Sequence, residues 1–225
     1  APLVWITEAA VQASPGEALE GLGASVLWGL ARAARQERPE LSLRLIDGAS
    51  GIDRVLSLAG EPECALRGED VVAPRLRAAP PRTAAPFSLQ PGASVLVTGG
   101  LGALGRRLAA WLVTELGVKR LILCSRRGAE TEDAALTVAE LEQLGAEVRV
   151  VAADAADRSQ LASIFAEEPN LRGVVHAAGL LEDGVIASQS PEQMSRVLRP
   201  KVDGAYHLHE LSLTQPLDLF VMISS

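Results

Sequence analysis

A glycine-rich segment carries the clearest chemical signal in this 225-residue sequence. Gly100, Gly102 and Gly105 fill a G-x-G-x-x-G pattern between an apolar segment and an amphipathic one. Such glycines let the backbone turn tightly and approach a pyrophosphate, and the N-terminus of the next helix adds N–H groups and positive potential. The strand–turn–helix context that the pattern requires is met. We therefore predict a dinucleotide-binding turn, with a glycine turn that binds nothing as the alternative. Its residues are Thr98, Gly99, Gly100, Leu101, Gly102, Leu104 and Gly105.

The end of the next apolar segment, Cys124-Ser125-Arg126-Arg127, indicates which dinucleotide would bind. An NAD site would carry Asp or Glu about 20 residues after the third glycine, where it accepts from the ribose. A hydroxyl and two guanidiniums stand here instead, and arginine matches phosphate geometry. We predict that Ser125, Arg126 and Arg127 bind the 2′-phosphate of NADP. The alternative is solvated surface charge.

Two further segments are predicted to border the same site. In VVAADAAD, Asp154 and Ala155 follow a strand, where the Asp154 carboxylate can accept from the adenine amine. Asp157 is predicted to cap the next helix. The segment His176-Ala177-Ala178-Gly179 ends another strand; its small residues admit a cofactor, and Gly179 allows close backbone approach. The alternative for this segment is a simple strand-ending turn.

These residues follow the strands of a βαβ series within residues 93–225. Apolar strands that alternate with helices indicate a parallel sheet covered on both faces. Right-handed crossovers then give the doubly wound α/β Rossmann order 3-2-1-4-5. Such a sheet usually continues past a fifth strand, so we expect its C-terminal part to be absent. The predicted strands are 94–98, 120–124, 147–152, 173–176 and 218–223, and the predicted helices are 103–116, 134–144, 158–167 and 191–211.

Residues 1–77 are predicted to form a smaller α/β subdomain, which is joined by a linker over 78–92. The linker is dense in Pro and Ala, which suits an extended connection. No glycine-rich turn follows a strand in this subdomain, so we predict a structural unit without a nucleotide site. The chain starts within a strand, so we expect the subdomain to be incomplete. Its predicted strands are 2–7, 41–46, 64–67 and 71–76, and its predicted helices are 17–37 and 52–59.

Composition argues against several other classes of function. The net charge is −7 without a basic stripe, so no nucleic-acid partner is expected. No apolar run approaches the roughly 18 residues of a membrane span, and the N-terminus does not resemble a signal peptide. The three histidines have no partners at metal-site spacing, so no metal is expected. Cys64 and Cys124 are expected to be buried thiols of a cytoplasmic protein.

Taken in order, TGGLGALG, SRR, Asp154, HAAG, PKVDG and the final ISS resemble a short-chain dehydrogenase/reductase, and in particular the ketoreductase domains of modular type I polyketide synthases. Residues 1–77 resemble the structural half of these domains. The resemblance implies that NADPH reduces a β-ketoacyl thioester. The phosphopantetheine of an acyl carrier protein would hold that substrate beside other domains of a multifunctional enzyme of secondary-metabolite biosynthesis. It also implies that Lys201 is catalytic and contacts the cofactor, and that Ser225 is the catalytic serine.

The proton-donating tyrosine of that family has no match in this sequence. It should follow the serine, whereas Tyr206, the one tyrosine present, precedes Ser225. We interpret Tyr206 as a packing residue, and His207 and His209 as packing or exposed residues. We therefore expect the chain to be a segment of a larger enzyme, and we expect this segment to be inactive by itself.

The segment Leu181-Glu182-Asp183 resembles the Leu-Asp-Asp of B-type ketoreductases, which implies the D-configured (3R) alcohol. The alternative is a pair of solvated carboxylates beside a turn at Asp183-Gly184. Two other functions stay open. One is a redox-inactive ketoreductase-like scaffold or epimerase, against which the intact glycine pattern argues. The other is a free-standing dehydrogenase, in which residues 1–77 would have no role.

Overall fold

A computed structural model describes residues 3–57, 60–79 and 87–224. The chain divides into two compact units: the first comprises residues 1–82 and 184–188, and the second comprises 83–183 and 189–225. The sequence did not indicate that 184–188 join the first unit. Residues 80–86 of the predicted linker lie outside the described residues. Within the described ranges, no helix is both long and apolar enough to cross a membrane.

The first unit is a small α/β assembly. In chain order its elements are β1 (Val4–Thr7), α1 (Ser25–Glu37), β2 (Arg44–Asp47), α2 (Ile52–Leu56), β3 (Glu63–Arg67) and β4 (Asp70–Val72). The strands form one sheet in the order β1-β2-β3-β4. The first three strands are parallel, and β4 is antiparallel to β3. Trp28 and Ala31 of α1 pack against Leu43 and Leu45, which anchors the helix to the sheet.

Several predicted boundaries in the first unit differ from the structure, and two of them differ by four residues or more. The helix predicted over 17–37 begins at Ser25, because Gly21 lies close to the preceding chain. A Cβ on Gly21 would be 1.9 Å from the carbonyl oxygen of Glu8. The strand predicted over 71–76 ends at Val72, because Pro74 has no N–H to donate to a strand ladder. Leu76 is fully exposed.

A charge cluster fills the C-terminal ends of β1, β2 and β3. The buried Asp47 accepts from Thr7 Oγ1 at 2.6 Å, from the Ala10 N–H at 2.9 Å and from Arg67 at 2.7 Å. Burial raises the pKa of Asp47, but these three hydrogen bonds outweigh it, and the pKa lies below its ordinary value. Arg67 also pairs with Glu17. Because carboxylates of the same unit already pair with Arg67, we interpret this charge cluster as structural.

The second unit is a five-stranded parallel sheet with helices between its strands. In chain order its elements are β5 (Ser94–Thr98), α3 (Ala103–Thr114), β6 (Arg120–Ser125), α4 (Ala134–Gln143), β7 (Glu147–Ala152), α5 (Arg158–Glu167), β8 (Leu171–His176), α6 (Pro191–Ser212) and β9 (Leu219–Met222). The strands lie in the order β7-β6-β5-β8-β9, and every pair is parallel. The predicted order 3-2-1-4-5 is therefore confirmed.

Alternating side chains of the sheet supply two cores, one on each face. Val95, Val97 and Leu123 pack with α3 and α4 on one face. Leu96 and Ile122 pack with α5 and α6 on the other. Because side chains of a strand point alternately to opposite faces, strands that are apolar throughout must be covered twice. The sheet is thereby fixed between helices, and its C-terminal edge stays available for a site.

Candidate functional site

A cavity of about 830 Å³ opens at the C-terminal edge of the second sheet. In open parallel α/β sheets this is the edge at which ligands bind, and the volume lies within the roughly 300–1,000 Å³ of small-molecule sites. The cavity wall brings together eleven residues that the sequence marked as a site. They are Gly99, Leu101, Gly102, Ser125, Arg126, Arg127, Asp154, Ala155, Ala177, Ala178 and Gly179.

The glycine-rich turn is fixed by contacts that only glycine permits. Gly99 has a φ of +66°, and a Cβ on it would be 2.7 Å from the carbonyl oxygen of Ala177. A Cβ on Gly105 would be 2.2 Å from the carbonyl oxygen of Gly99. Gly102 caps the N-terminus of α3 in an extended conformation. The turn therefore brings backbone N–H groups and the start of a helix to the cavity wall.

Four predicted residues of this turn lie behind the wall of the cavity. Thr98 is fully buried. Gly100 lies against the carbonyl oxygen of Val97 and the side chain of Leu123, and Gly105 lies against the backbone of Gly99 and Gly100. The side chain of Leu104 is half exposed on α3. None of Thr98, Gly100, Leu104 and Gly105 lines the cavity, so they shape the turn rather than its surface.

The two arginines after β6 reach the cavity with their charges unpaired. Neither Arg126 nor Arg127 forms an ion pair with any part of the chain that the structure describes. Next to them, Ser125 Oγ lies 3.1 Å from Thr131 Oγ1 and Thr131 also lines the cavity. Two unpaired guanidiniums beside two hydroxyls make this end of the cavity suitable for a phosphate.

Asp154 lines the same cavity, and its carboxylate already has partners within the chain. Its Oδ1 accepts from the Ala156 N–H at 2.9 Å, and its Oδ2 lies 3.6 Å from a guanidinium nitrogen of Arg199. Behind it, burial raises the pKa of the Cys124 thiol to about 12, so this thiol stays protonated at neutral pH. Asp157 caps α5, as predicted, by accepting from the N–H groups of Ser159 and Gln160.

His176 occupies a different place from the one predicted. We expected it to contact a cofactor, but its side chain is buried and does not line the cavity. Its Nδ1 lies 2.7 Å from Thr98 Oγ1, and its Nε2 lies 2.9 Å from the carbonyl oxygen of Pro200. Burial lowers the pKa of this imidazole, which keeps it neutral. The ring therefore joins β8 to β5 and α6.

Of the two predicted catalytic residues, Lys201 is described and Ser225 lies outside the described residues. Lys201 is half-buried on α6, next to the cavity but not in its lining. Its Cε would lie 3.6 Å from a Cβ on Gly179, so its side chain passes close to the end of β8. The interpretation of Tyr206 as a packing residue was wrong, since 53% of it is exposed.

Helix α6 contributes three cavity residues that sequence reasoning missed: Arg196, Arg199 and Pro200. The spacing of three and four residues places them on one helical face, which could have indicated a shared surface. Leu180 and Thr131 were missed as well, because loop residues carry no periodic signal. Among the described residues, no group of three or more His, Cys, Asp or Glu side chains could hold a metal ion.

The loop after β8 is tied to α6 by a bidentate ion pair. Glu182 accepts from Arg196 Nε at 2.8 Å and from a terminal guanidinium nitrogen at 2.7 Å. These bonds lower the pKa of Glu182. Leu181 and Asp183 are exposed. None of Leu181, Glu182 and Asp183 lines the cavity, but Arg196 does.

Two family models match the chain, one in each of its two predicted parts. Residues 93–225 match the model described as "KR domain". Residues 1–76 match the model described as "Polyketide synthase extender module SpnB, Rossmann fold domain".

Individual proteins agree with these models. The chain is 44% identical to Polyketide synthase GfsA of Streptomyces halstedii over 99% of its length, which is 3% of that protein. It is 43% identical to the PKS-NRPS hybrid synthetase acdB of Aspergillus candidus, over 100% of its length and 10% of that protein. A solved "A-type" ketoreductase from a modular polyketide synthase matches with a TM-score of 0.89 and 41% identity, over the whole chain and 51% of that structure. A solved "A1-type" ketoreductase gives a TM-score of 0.88 and 40% identity, with 50% of its length covered. The chain thus spans about half of these solved ketoreductases and a tenth or less of these relatives.

Proposed function

The chain belongs to the ketoreductase family of modular type I polyketide synthases, and from this premise we propose that its second unit reduces a β-ketoacyl thioester with NADPH. The observation that carries the proposal is the cavity at the C-terminal edge of the sheet. It joins the glycine turn to Arg126 and Arg127 at one end, and Lys201 lies beside Gly179. Within this proposal residues 1–77 are structural, and residues 93–225 are catalytic.

The residues of the cavity fit NADPH. The N–H groups at the start of α3 suit a pyrophosphate, and Gly99 leaves no side chain in its path. Arg126, Arg127 and Ser125 suit the 2′-phosphate that distinguishes NADPH from NADH. Ala177, Ala178 and Gly179 leave room for a flat ring at the end of β8. When bound, the cofactor supplies a hydride for the β-carbon of the substrate.

The residues of the chain would then bind the substrate and orient its oxygen for proton transfer. By the family resemblance, Lys201 supports proton transfer to the oxygen of the substrate, and Ser225 hydrogen-bonds that oxygen. An ammonium and a hydroxyl at this position stabilise negative charge as it develops on oxygen. The family's proton-donating tyrosine has no match here, and Tyr206 lies largely exposed on α6. We therefore propose that the 225 residues alone do not turn over, and that a longer protein supplies the tyrosine.

We propose B-type stereochemistry, the (3R) alcohol, on Leu181-Glu182-Asp183. The ion pair of Glu182 with Arg196 supports an ordered loop at this place. The solved structures named above are A-type enzymes, so the configuration of the product is the sharpest test of this part.

The natural substrate in this proposal is carried by the phosphopantetheine of an acyl carrier protein, next to other synthase domains, in the cytoplasm. Both cysteines are buried free thiols, which suits a reducing compartment. The second candidate function, a redox-inactive scaffold or an epimerase, is favoured by one observation only, the missing tyrosine.

The proposal is tested by NADPH oxidation with a diffusible β-ketoacyl thioester. The protein is extended to the length of the solved ketoreductases and compared with the 225 residues alone. We expect only the longer protein to turn over, with NADPH preferred to NADH. Replacing Arg126 and Arg127 by Ala should remove this preference, whereas Arg107→Ala, on the exposed face of α3, should not. If the longer protein binds NADPH but oxidises none, the scaffold or epimerase function replaces this proposal.

A further inference from the structure

The buried ring of His176 connects three elements at the edge of the sheet. It ends β8, and only 4% of the residue is exposed. Its Nδ1 contacts Thr98 at the end of β5, and its Nε2 contacts the carbonyl oxygen of Pro200 within α6. No other side chain that the structure describes is recorded as bonding to either ring nitrogen. The imidazole is thus the sole polar link seen here between the two strands and this turn of the helix.

The two hydrogen bonds determine which nitrogen carries the proton. The carbonyl oxygen of Pro200 can only accept, so Nε2 must donate. In the neutral ring Nδ1 is then an acceptor, and the hydroxyl of Thr98 donates to it. Thr98 itself is fully buried and does not line the cavity. The pair therefore forms a directed chain from β5 through the ring to the helix backbone.

Helix α6 is weakened at the same place. Pro200 lies in the interior of the helix, where it has no N–H for the carbonyl of Arg196. One turn later, a Cβ on Gly204 would be 3.1 Å from the Cε1 of His176. Glycine therefore lets the helix come into contact with the ring, and the ring in turn bonds the carbonyl oxygen of the same proline whose missing N–H interrupts the helical hydrogen bonding.

We propose that His176 is a positioning residue, which holds the Pro200 turn of α6 so that Lys201 stays beside Gly179. Lys201 follows Pro200 directly in the chain, and its Cε would lie 3.6 Å from a Cβ placed on Gly179. The histidine acts through the backbone, because its own side chain does not reach the cavity wall. The inference rests on the proposed role of Lys201 in the reductase.

The test uses the protein extended to the length of the solved ketoreductases. His176→Phe removes both hydrogen bonds. His176→Gln replaces the imidazole by an amide, whose oxygen can accept and whose NH₂ can donate a hydrogen bond. Thr98→Val removes only the bond to Nδ1. Leu112→Ala, in the core on the other face of the sheet, is the control for a general loss of stability.

Three quantities are measured for each variant. The first is amide hydrogen exchange over residues 196–205, which reports opening of this turn without any need for activity. The other two are kcat for a β-ketoacyl thioester and Kd for NADPH. In His176→Phe we expect faster exchange confined to this segment and a kcat lower by about 10–100-fold, the scale of a misplaced catalytic group. The Kd should change much less. In His176→Gln, both the exchange rate and kcat should return most of the way to the values of the unaltered protein.

Other outcomes overturn the proposal in distinguishable ways. If Leu112→Ala lowers kcat as much as His176→Phe at a matched loss of melting temperature, the role of His176 is merely structural. If exchange rises while kcat is unchanged, the ring holds the helix but does not position Lys201. Should His176→Phe fail to fold, Thr98→Val decides, and unchanged exchange together with unchanged kcat refutes the proposal. If the unaltered protein reduces no thioester, the proposed function fails, and exchange alone then shows whether His176 holds the turn.

Discussion

Glu182 and Arg196 form a bidentate ion pair that ties the loop after β8 to helix α6, with nitrogen–oxygen distances of 2.8 and 2.7 Å. Arg196 lines the cavity, whereas Glu182 stands outside its wall. Glu182 is thereby occupied by a partner within its own unit. Its neighbours Leu181 and Asp183 are exposed.

Loosening this ion pair should change the stereochemical outcome. Arg196→Ala removes both bonds, and we expect the longer protein to give a mixture of β-hydroxy products in place of one configuration. Arg196→Lys keeps the positive charge but cannot form both hydrogen bonds of the guanidinium. Its product ratio should therefore lie between those of the unaltered protein and Arg196→Ala. Chiral chromatography of the product measures the ratio. An unchanged ratio in Arg196→Ala would remove the loop from stereocontrol.

An alanine at Gly105 should abolish cofactor binding. Its Cβ would lie 2.2 Å from the carbonyl oxygen of Gly99, so the turn must shift, at a cost of about 1–3 kcal/mol in the free energy of unfolding. Fluorescence titration with NADPH and urea unfolding measure the two effects. Gly29→Ala is the matched control: Gly29 lies exposed inside α1 with open space around it, and this change should stabilise by about 0.5–1 kcal/mol. Normal NADPH binding by Gly105→Ala would contradict the assigned turn.

The capping carboxylate of α5 should give a pH-dependent stability. Hydrogen bonds from the Ser159 side chain and the Gln160 N–H lower the pKa of Asp157 to about 2. Because the folded pKa is below the unfolded one, the stabilisation is present above the ordinary Asp pKa of about 3.9 and is lost as the pH falls towards 2. The stability gap between the unaltered protein and Asp157→Ala, from urea midpoints, should therefore narrow below about pH 4. Asp157→Asn still caps but does not titrate. A gap that is constant down to pH 3 would argue against the charged cap.

Glu168 should be the most costly acidic residue to neutralise at the N-terminal edge of the sheet. Its side chain is 3% exposed and accepts from Arg120 and Arg149. Burial raises its pKa, but the bonds from the two arginines outweigh this and lower it. We expect Glu168→Gln to cost about 2–4 kcal/mol in the free energy of unfolding, somewhat less than the loss of a partner in a fully buried pair, because both arginines are more than a third exposed. The free energy of unfolding should also decrease as the pH is lowered and this carboxylate becomes protonated.

Glu147 provides the control for that measurement. It pairs with the same Arg120, but 67% of its side chain is exposed. Exposed ion pairs contribute little, so Glu147→Gln should leave the midpoint nearly unchanged. Equal losses in the two variants would mean that burial of Glu168 is not the cause.

Periodicity alone recovered most of the second unit. The β5 strand and its parallel neighbours are apolar in their centres, and the bounds of β5, β7 and α5 match the prediction residue for residue. The glycine pattern likewise placed Gly99 and Gly102 on the cavity wall. These features are local, because strand and helix periods and the lack of a side chain are written in adjacent residues.

Long-range contacts explain what the sequence did not reveal. His176 looked like a cofactor ligand because it ends a strand, yet its ring turns inward to Thr98 and Pro200, which lie far from it in the chain. The start of α1 was misplaced because Gly21 packs against Glu8, a contact that no helical period reports. Arg196 and Arg199 entered the cavity through the packing of α6 on the sheet.

The most direct test of the central claim follows the transferred hydrogen itself. The protein, extended to the length of the solved ketoreductases, is given a β-ketoacyl thioester and NADPH with deuterium at the transferable position of the nicotinamide ring. We expect mass spectrometry to find one deuterium on the β-carbon of a β-hydroxyacyl product, and Lys201→Ala to suppress its formation. An unreduced thioester that instead exchanges hydrogen at its α-carbon faster than it does in buffer without protein would contradict the account and identify the domain as an epimerase.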